Sequence, residues 1–332
     1  MNAYHNGAAA QDEEPSRRHE GAVPAGRTRE ADTALDLLRS KGYVIFDGLL
    51  SEEMVTRLRE ELEPWFAATP RCRGDFYGWH TTRFGSVLLK SPTSHALALH
   101  PVMLSIMDAL LGPYCDWYQL NLTQAVRLHP GQPQQVPHRD EEMWPCQKNG
   151  VEYLINVMWP LSDFTIENGA TLIWPRSHFT PPSREVDRAE AITAEMSSGS
   201  ALVYLGSVTH CGGANRTNGA RTGLILSYSL GWLKQYENAF LAYPPAVAKE
   251  FPPALRDLIG YRIHRPNLGG YEGQAPSILF ETTSHVLPAV DAIPAATARE
   301  LRRFNDRECE ESPQRILPGF ERSRLGSSAA VP

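Results

Sequence analysis

From residue 117 onward, apolar positions come in short runs: "WYQLNLTQAVRL", "VEYLINVMWPL", "ATLIWP", "SALVYLG" and "RTGLILSYSLGW", each bounded by Gly, Pro or Asn. Runs of this length, rich in aliphatic and aromatic residues and set between turn residues, predict β-strands. Before them the period is helical. "TALDLLRSKG" predicts a short helix closed by Gly42, and "HPVMLSIMDALLGP" predicts one that stops at Gly112 and Pro113. Between these lie a buried strand, "YVIFDG", and the helix "SEEMVTRLREELEPWF". Ser51 can cap that helix, and Val55, Leu58, Leu62 and Trp65 repeat at the spacing of an inward stripe.

Short strands with irregular connections, and no strand–helix alternation, predict a mainly β fold. The expected architecture is a double-sheet barrel of jelly-roll type with flanking α-helices. Residues 1–30, rich in Ala, Gly, Pro and mixed charge, are expected to be a disordered arm, and 321–332 a frayed tail. Residues 31–320 then form a single domain, with the barrel core at about 115–235 and a Pro-rich segment at 240–320 that wraps it with short helical pieces such as "AVAKEFPPALRDLIG". No internal repeat is visible.

Composition narrows the partners. The 332 residues are 42% hydrophobic and 21% charged, with a formal net charge of -6 and no block of Lys and Arg. That balance argues against nucleic acid or an anionic membrane surface and favours a small-molecule substrate. No apolar run approaches the roughly 20 residues of a membrane span. The N-terminus also lacks the apolar core of a signal peptide, so the expected location is cytoplasmic. Cys72, Cys115, Cys146, Cys211 and Cys309 form no close pair and are expected as free thiols, Cys211 as a small buried hydrophobe. Nothing in the pattern fixes an oligomeric state.

The candidate chemistry centres on "VPHRDEEMWP" at 136–145. In an extended segment His138 and Asp140 project to one face and Arg139 points away. An imidazole and a carboxylate supply two ligands of the two-His-one-carboxylate face that holds non-haem Fe(II) with positions left open for chemistry. The same triplet also suits a solvated turn or a salt bridge. A third ligand must come from a separate strand. His210 lies between an apolar strand and a Gly/Asn-rich loop, and His178 in "WPRSHF" is its rival. Arg221, 11 residues after His210 (221 − 210), opens the next strand and favours His210. Its guanidinium, aimed into a barrel, can hold the distal carboxylate of a dicarboxylate whose other end chelates the metal.

"PHRDEEMWP", "INVMWPLSDFTIENGATLIWPRSH", "GSVTHCGGANRTNGARTGLILSYSLGW" and "GYVIFDGLLSEEMVTRLREEL" together resemble the phytanoyl-CoA dioxygenase family of Fe(II)/2-oxoglutarate-dependent oxygenases. The resemblance covers roughly residues 35–240. It implies a double-stranded β-helix with His138, Asp140 and His210 as iron ligands and Arg221 on the C5 carboxylate of 2-oxoglutarate. It further implies 2-oxoglutarate contacts for Gln135 and Thr171, which read equally as turn and strand residues. The implied reaction consumes O2, converts 2-oxoglutarate to succinate and CO2, and oxidises a small molecule, usually by hydroxylation. Halogenation is disfavoured, because related halogenases give up the carboxylate that Asp140 supplies here.

Trp144, Trp79 and Tyr77 are candidate walls of the substrate mouth and Arg83 a candidate partner for an acidic substrate group; rim packing and a surface ion pair are the competing readings. Asn156 and Gln124 are strand residues with two readings, pointing into the barrel or serving as satisfied core amides, of which the second is favoured. Members of the family act on acyl-CoAs, amino acids and polycyclic natural products, and the aromatic candidates favour a natural product or lipid-like molecule. Two rival functions stay open. A barrel isomerase or epimerase that does not use 2-oxoglutarate is opposed by the spacing of Arg221, and a non-catalytic ligand-binding barrel by the intact ligand set.

Overall fold

The computed structural model describes residues 29–146, 150–181 and 185–311. The expected arm and tail lie outside the described residues, except that Arg29 and Glu30 already belong to the first helix, Arg29–Lys41. Gly42 closes that helix with φ +86°, donating its N–H to Leu38 O at 2.8 Å, as the sequence predicts.

Nine strands follow among the described residues: β1 (Tyr43–Phe46), β2 (Thr81–Phe84), β3 (Tyr118–Leu128), β4 (Leu154–Pro160), β5 (Thr171–Ile173), β6 (Ile192–Ala194), β7 (Ala201–Leu205), β8 (His210–Gly212) and β9 (Arg221–Leu230). Six form a sheet ordered β1-β7-β4-β9-β3-β2, and three form a second ordered β6-β5-β8. Every pairing is antiparallel, giving the jelly roll expected from the sequence. β3 and β9 pair along their whole length, from Tyr118↔Leu230 to Leu128↔Arg221, with one register shift at Leu120/Leu122. β4 and β7 are buried at every position, which is why they read as continuous apolar runs.

β2, β6 and β8 have no counterpart in the predicted strands. "TTRF", "ITA" and "HCG" are too short and too polar to announce themselves, and their pairing partners make them strands. The helix Glu52–Ala68 is capped as expected, Met54 N donating to Ser51 Oγ, but its buried stripe is Val55, Leu58, Leu62 and Phe66. Trp65 is 42% exposed and carries the Lys90 ammonium 5.2 Å from its ring centre. At about 100° per residue, positions 65 and 66 flank the stripe of 55, 58 and 62 almost equally on opposite sides, and packing against Phe84 selects Phe66.

Helix Arg29–Lys41 packs on β1, β7 and the helix Pro101–Leu110. The wrapping segment has the expected short helices, Ala239–Ala242, Pro245–Ala248 and Pro253–Leu258, which bring Tyr243, Leu255 and Tyr261 into the core. It also ends in a 17-residue helix, Ala295–Glu311, that was not predicted. Leu301 and Phe304 on it are exposed, so no buried stripe marks it.

Candidate metal centre and its cavity

His138 and His210 face each other as an isolated antiparallel bridge, each N–H donating to the other's carbonyl at 3.0 Å. The extended segment at 138 is therefore a single residue pair, and Asp140 already opens a 3-10 turn, Asp140–Met143. His138 Nε2 lies 3.5 Å from Asp140 Oδ1 and His210 Nε2 lies 3.4 Å from Oδ2. One ligand atom from each of the three residues falls within 4.8 Å of the others.

Each imidazole donates its Nδ1 proton to a carbonyl two residues back, His138 to Val136 O at 2.8 Å and His210 to Val208 O at 3.1 Å. In the neutral rings that leaves Nε2 unprotonated and turned to the common centre, as a metal requires, while without a metal a proton on Nε2 faces Asp140. Burial opposes charge on Asp140, but the neighbouring His210 and His138 outweigh it and hold its carboxyl well below the usual range. Two imidazoles and a carboxylate are a donor set suited to Fe(II). Asn156 on β4 donates Nδ2 to Asp140 Oδ2 at 3.0 Å. Phe76 packs edge-on against the His138 ring and Tyr204 against the His210 ring.

The centre opens into a cavity of about 130 Å³ lined from both sheets. Arg221, the first residue of β9, is 2% exposed there. Its Nη2 donates to Gly169 O, its guanidinium lies 4.1 Å from the Phe164 ring centre, and its Nε has no partner. Burial, with the like charge of Arg83, pushes its pKa down to about 9, so it stays cationic at neutral pH. Arg83 lines the same cavity, donates Nη1 to Gln124 Oε1 at 3.1 Å and also has an unpartnered Nε. Among the described residues neither guanidinium has a carboxylate partner within ion-pair distance. A buried cation beside a half-buried one, neither with an acid partner, is costly, and a dianion entering the cavity relieves both.

Gln135 and Thr171 line the cavity too. Gln135 donates to Phe76 O at 3.0 Å and accepts from Gly212 N at 3.2 Å, tying the 76–77 strap to β8. Tyr77 lies on the wall, where its hydroxyl meets that of Tyr236 from the segment after β9.

The other two aromatic candidates lie elsewhere. Trp144 is buried away from the cavity, its indole donating to Lys234 O at 2.9 Å and its ring resting on Tyr153. Trp79 is 56% exposed and bonded to Asp75 Oδ1, outside the cavity lining. His178 bonds the Arg39 carbonyl at 3.2 Å and stacks on Phe179, apart from the three ligands.

Arg139 does point away from the centre, yet it is buried. It bonds Thr209 Oγ1, Ser177 O, Thr180 O and Thr180 Oγ1. Asn156 and Gln124, expected as core amides, face the cavity. Tyr236, Asn121, Ser227, Phe76 and Met143 also line it and were not singled out from sequence. The signal available for Asn156 and Ser227 was a polar residue inside an apolar strand; Tyr236, in a loop, gave none. Burial pushes the Cys211 thiol up to about 12, so it is an inert apolar filler as expected. Among the described residues no helix is long and apolar enough to cross a membrane.

An antiparallel jelly roll that gathers two imidazoles, a carboxylate and a buried unpaired cation around one cavity defines an iron- and 2-oxoglutarate-dependent oxygenase. The family model "Phytanoyl-CoA dioxygenase (PhyH)" matches residues 38–223. Dioxygenase aneA of Aspergillus aculeatus is 32% identical over 249 residues, 70% of this chain and 83% of that protein. Dioxygenase olcK of Penicillium canescens is 28% identical over 264 residues, 74% of this chain and 87% of that protein. Among solved structures, the epimerase SnoN in complex with Fe3+, alpha ketoglutarate and nogalamycin RO aligns with a TM-score of 0.52 at 21% identity, over 61% of this chain and 84% of that one. That likeness is one of fold. The chain belongs to the phytanoyl-CoA dioxygenase family and is a dioxygenase.

Proposed function

We propose that His138, Asp140 and His210 hold Fe(II), that Arg221 binds the distal carboxylate of 2-oxoglutarate, and that the enzyme oxidises a small-molecule natural product, most simply by hydroxylation. The observation that carries this reading is the buried guanidinium of Arg221, unpaired and on the same cavity as the three ligands. A barrel that did not use a dianionic co-substrate would have no use for it, which counts against the isomerase reading without 2-oxoglutarate. Arg83 supplies a second positive charge to the same anion, and the Thr171 hydroxyl a hydrogen bond.

The iron, with 2-oxoglutarate and O2, supplies the oxidation. The chain's own residues position and shield. Asn156 holds Asp140 in orientation, the Nδ1 bonds keep both imidazoles in their ligating tautomer, and Phe76, Tyr77 and Tyr236 keep water from the mouth. A cavity of about 130 Å³ is small beside the roughly 300–1,000 Å³ of ligand pockets, so 2-oxoglutarate takes the Arg221 end and only part of the substrate enters, the rest lying at the mouth. The natural-product class is supported by SnoN, an epimerase from nogalamycin biosynthesis whose structure carries nogalamycin RO.

Anaerobic titration with Fe(II) and 2-oxoglutarate, following the weak visible charge-transfer band, tests the assignment. Wild type should develop the band and His138→Ala should not. Arg221→Ala should need at least about tenfold more 2-oxoglutarate, as loss of a charge-assisted hydrogen bond implies. A wild-type protein without the band would defeat the reading. If Arg221→Ala matched wild type, the anchor assignment alone would fall.

A further inference from the structure

Asn121 on β3 and Ser227 on β9 are each 1% exposed and both line the cavity. Sheet register sets Ser227 opposite Asn156 of β4 and Leu122 of β3, beside the amide that holds Asp140. Arg221 lies six residues earlier on β9 (227 − 221), about 20 Å along an extended strand. With 2-oxoglutarate drawn towards Arg221, this end of the cavity is left for the substrate.

The hydrogen bonding of Asn121 and Ser227 is incomplete on the donor side. Asn121 Oδ1 accepts from Tyr236 N at 2.8 Å, and Nδ2 donates to Ser227 Oγ at 3.3 Å. The other neighbour of Nδ2 is the Met143 thioether at 3.9 Å, a weak acceptor. The hydroxyl proton of Ser227 has no acceptor among the described residues. Two donors, the second Nδ2 hydrogen of Asn121 and the Ser227 hydroxyl, are therefore left at the cavity with no oxygen acceptor among their described partners. The surrounding wall is apolar, from Leu122, Leu154 and Met143, and Asp140 is the charged neighbour. An anion would meet that carboxylate, and a cation would meet the donor hydrogens of Asn121 and Ser227.

We infer that Asn121 and Ser227 form the substrate subsite for an acceptor oxygen, a carbonyl, on a neutral ring-containing molecule. The inference rests on the placement of 2-oxoglutarate at Arg221. A carbonyl oxygen has two lone pairs and receives both donors, while its ring extends to the mouth between Phe76, Tyr77 and Tyr236.

The test uses the full chain loaded anaerobically with Fe(II) and 2-oxoglutarate, titrated calorimetrically with 1-indanone and with indane, which share a shape and differ in the carbonyl. Wild type should bind the ketone roughly 25-fold more tightly than the hydrocarbon, the value of two hydrogen bonds. Ser227→Ala should bring the ratio to about fivefold, the value of the remaining bond from Asn121, and Ser227→Thr, which keeps the hydroxyl, should retain it. The inference is overturned by equal binding of the two probes to wild type, by no binding of 1-indanone up to its solubility, by competition between 1-indanone and 2-oxoglutarate, or by an unchanged ratio in Ser227→Ala. The charge-transfer band recorded on the same samples separates the two readings. Its absence speaks against the iron and 2-oxoglutarate assignment, and an intact band without ketone preference speaks against the subsite.

Discussion

Asn156 steadies one oxygen of Asp140 from a buried position on β4, and its loss should be felt by the metal before it is felt by the fold. Asn156→Ala is expected to weaken Co(II) or Fe(II) binding by about 10- to 100-fold, read by competition with a chelator, with a small change in unfolding midpoint. Glu152 tests a different residue-scale effect. It accepts hydrogen bonds from Ser207 N and Oγ, yet burial, with the charge of Glu141, pushes its pKa up to about 8 from an ordinary 4.5. Between those values the folded chain keeps a proton that the unfolded chain releases. The stability tied to that proton is whole below pH 4.5 and falls as pH rises to about 8. Glu152→Gln should raise the melting temperature by roughly 2–4 °C at pH 8, with the gain vanishing near pH 4.5.

What the sequence disclosed at this scale follows from chemistry. His138, Asp140, His210 and Arg221 stood out because the residue types are few and alternate spacing puts the first pair on one face. Trp144 and Trp79 misled because an aromatic ring serves the core, the surface and a pocket wall equally well. Asn156 and Ser227 were visible as polar residues in apolar strands, but only sheet register shows what they meet.

Among the elements, the segment 136–143 is held less by its own pairing than by Arg139. That guanidinium ties it to Thr209, next to His210, and to the Ser177–Thr180 turn. Arg139→Ala removes all four of these hydrogen bonds, although Ser177 O keeps Thr180 N and Oγ1 as donors, and should cost about 2–3 kcal/mol in urea unfolding. Arg57→Ala, which removes an exposed pair with Glu53, should change stability by less than about 1 kcal/mol. The long strands and early helices were legible because burial writes a period into them. β2, β6 and β8 were not, since three or four residues carry no period and their identity comes from partners distant in sequence.

For the whole molecule, ligation and stability are linked. Metal at 100 times its dissociation constant should stabilise the fold by about 2.7 kcal/mol. Added 2-oxoglutarate should raise the melting temperature substantially further only when metal is present, since one of its ends needs the ion. A calorimetric scan of the apo, metal-loaded and doubly loaded protein checks the order. Equal stabilisation by 2-oxoglutarate with and without metal would contradict a shared site.

The bridge between His138 and His210 joins positions 72 apart in the chain (210 − 138). Because side chains alternate along an extended backbone, a slip of one residue would offer Arg139 or Pro137 to the ion in place of His138. A cation cannot settle against a guanidinium. Metal content after refolding is thus a head count of molecules whose two ends met in the right register, and a chain joined one step out is set apart by its empty hands.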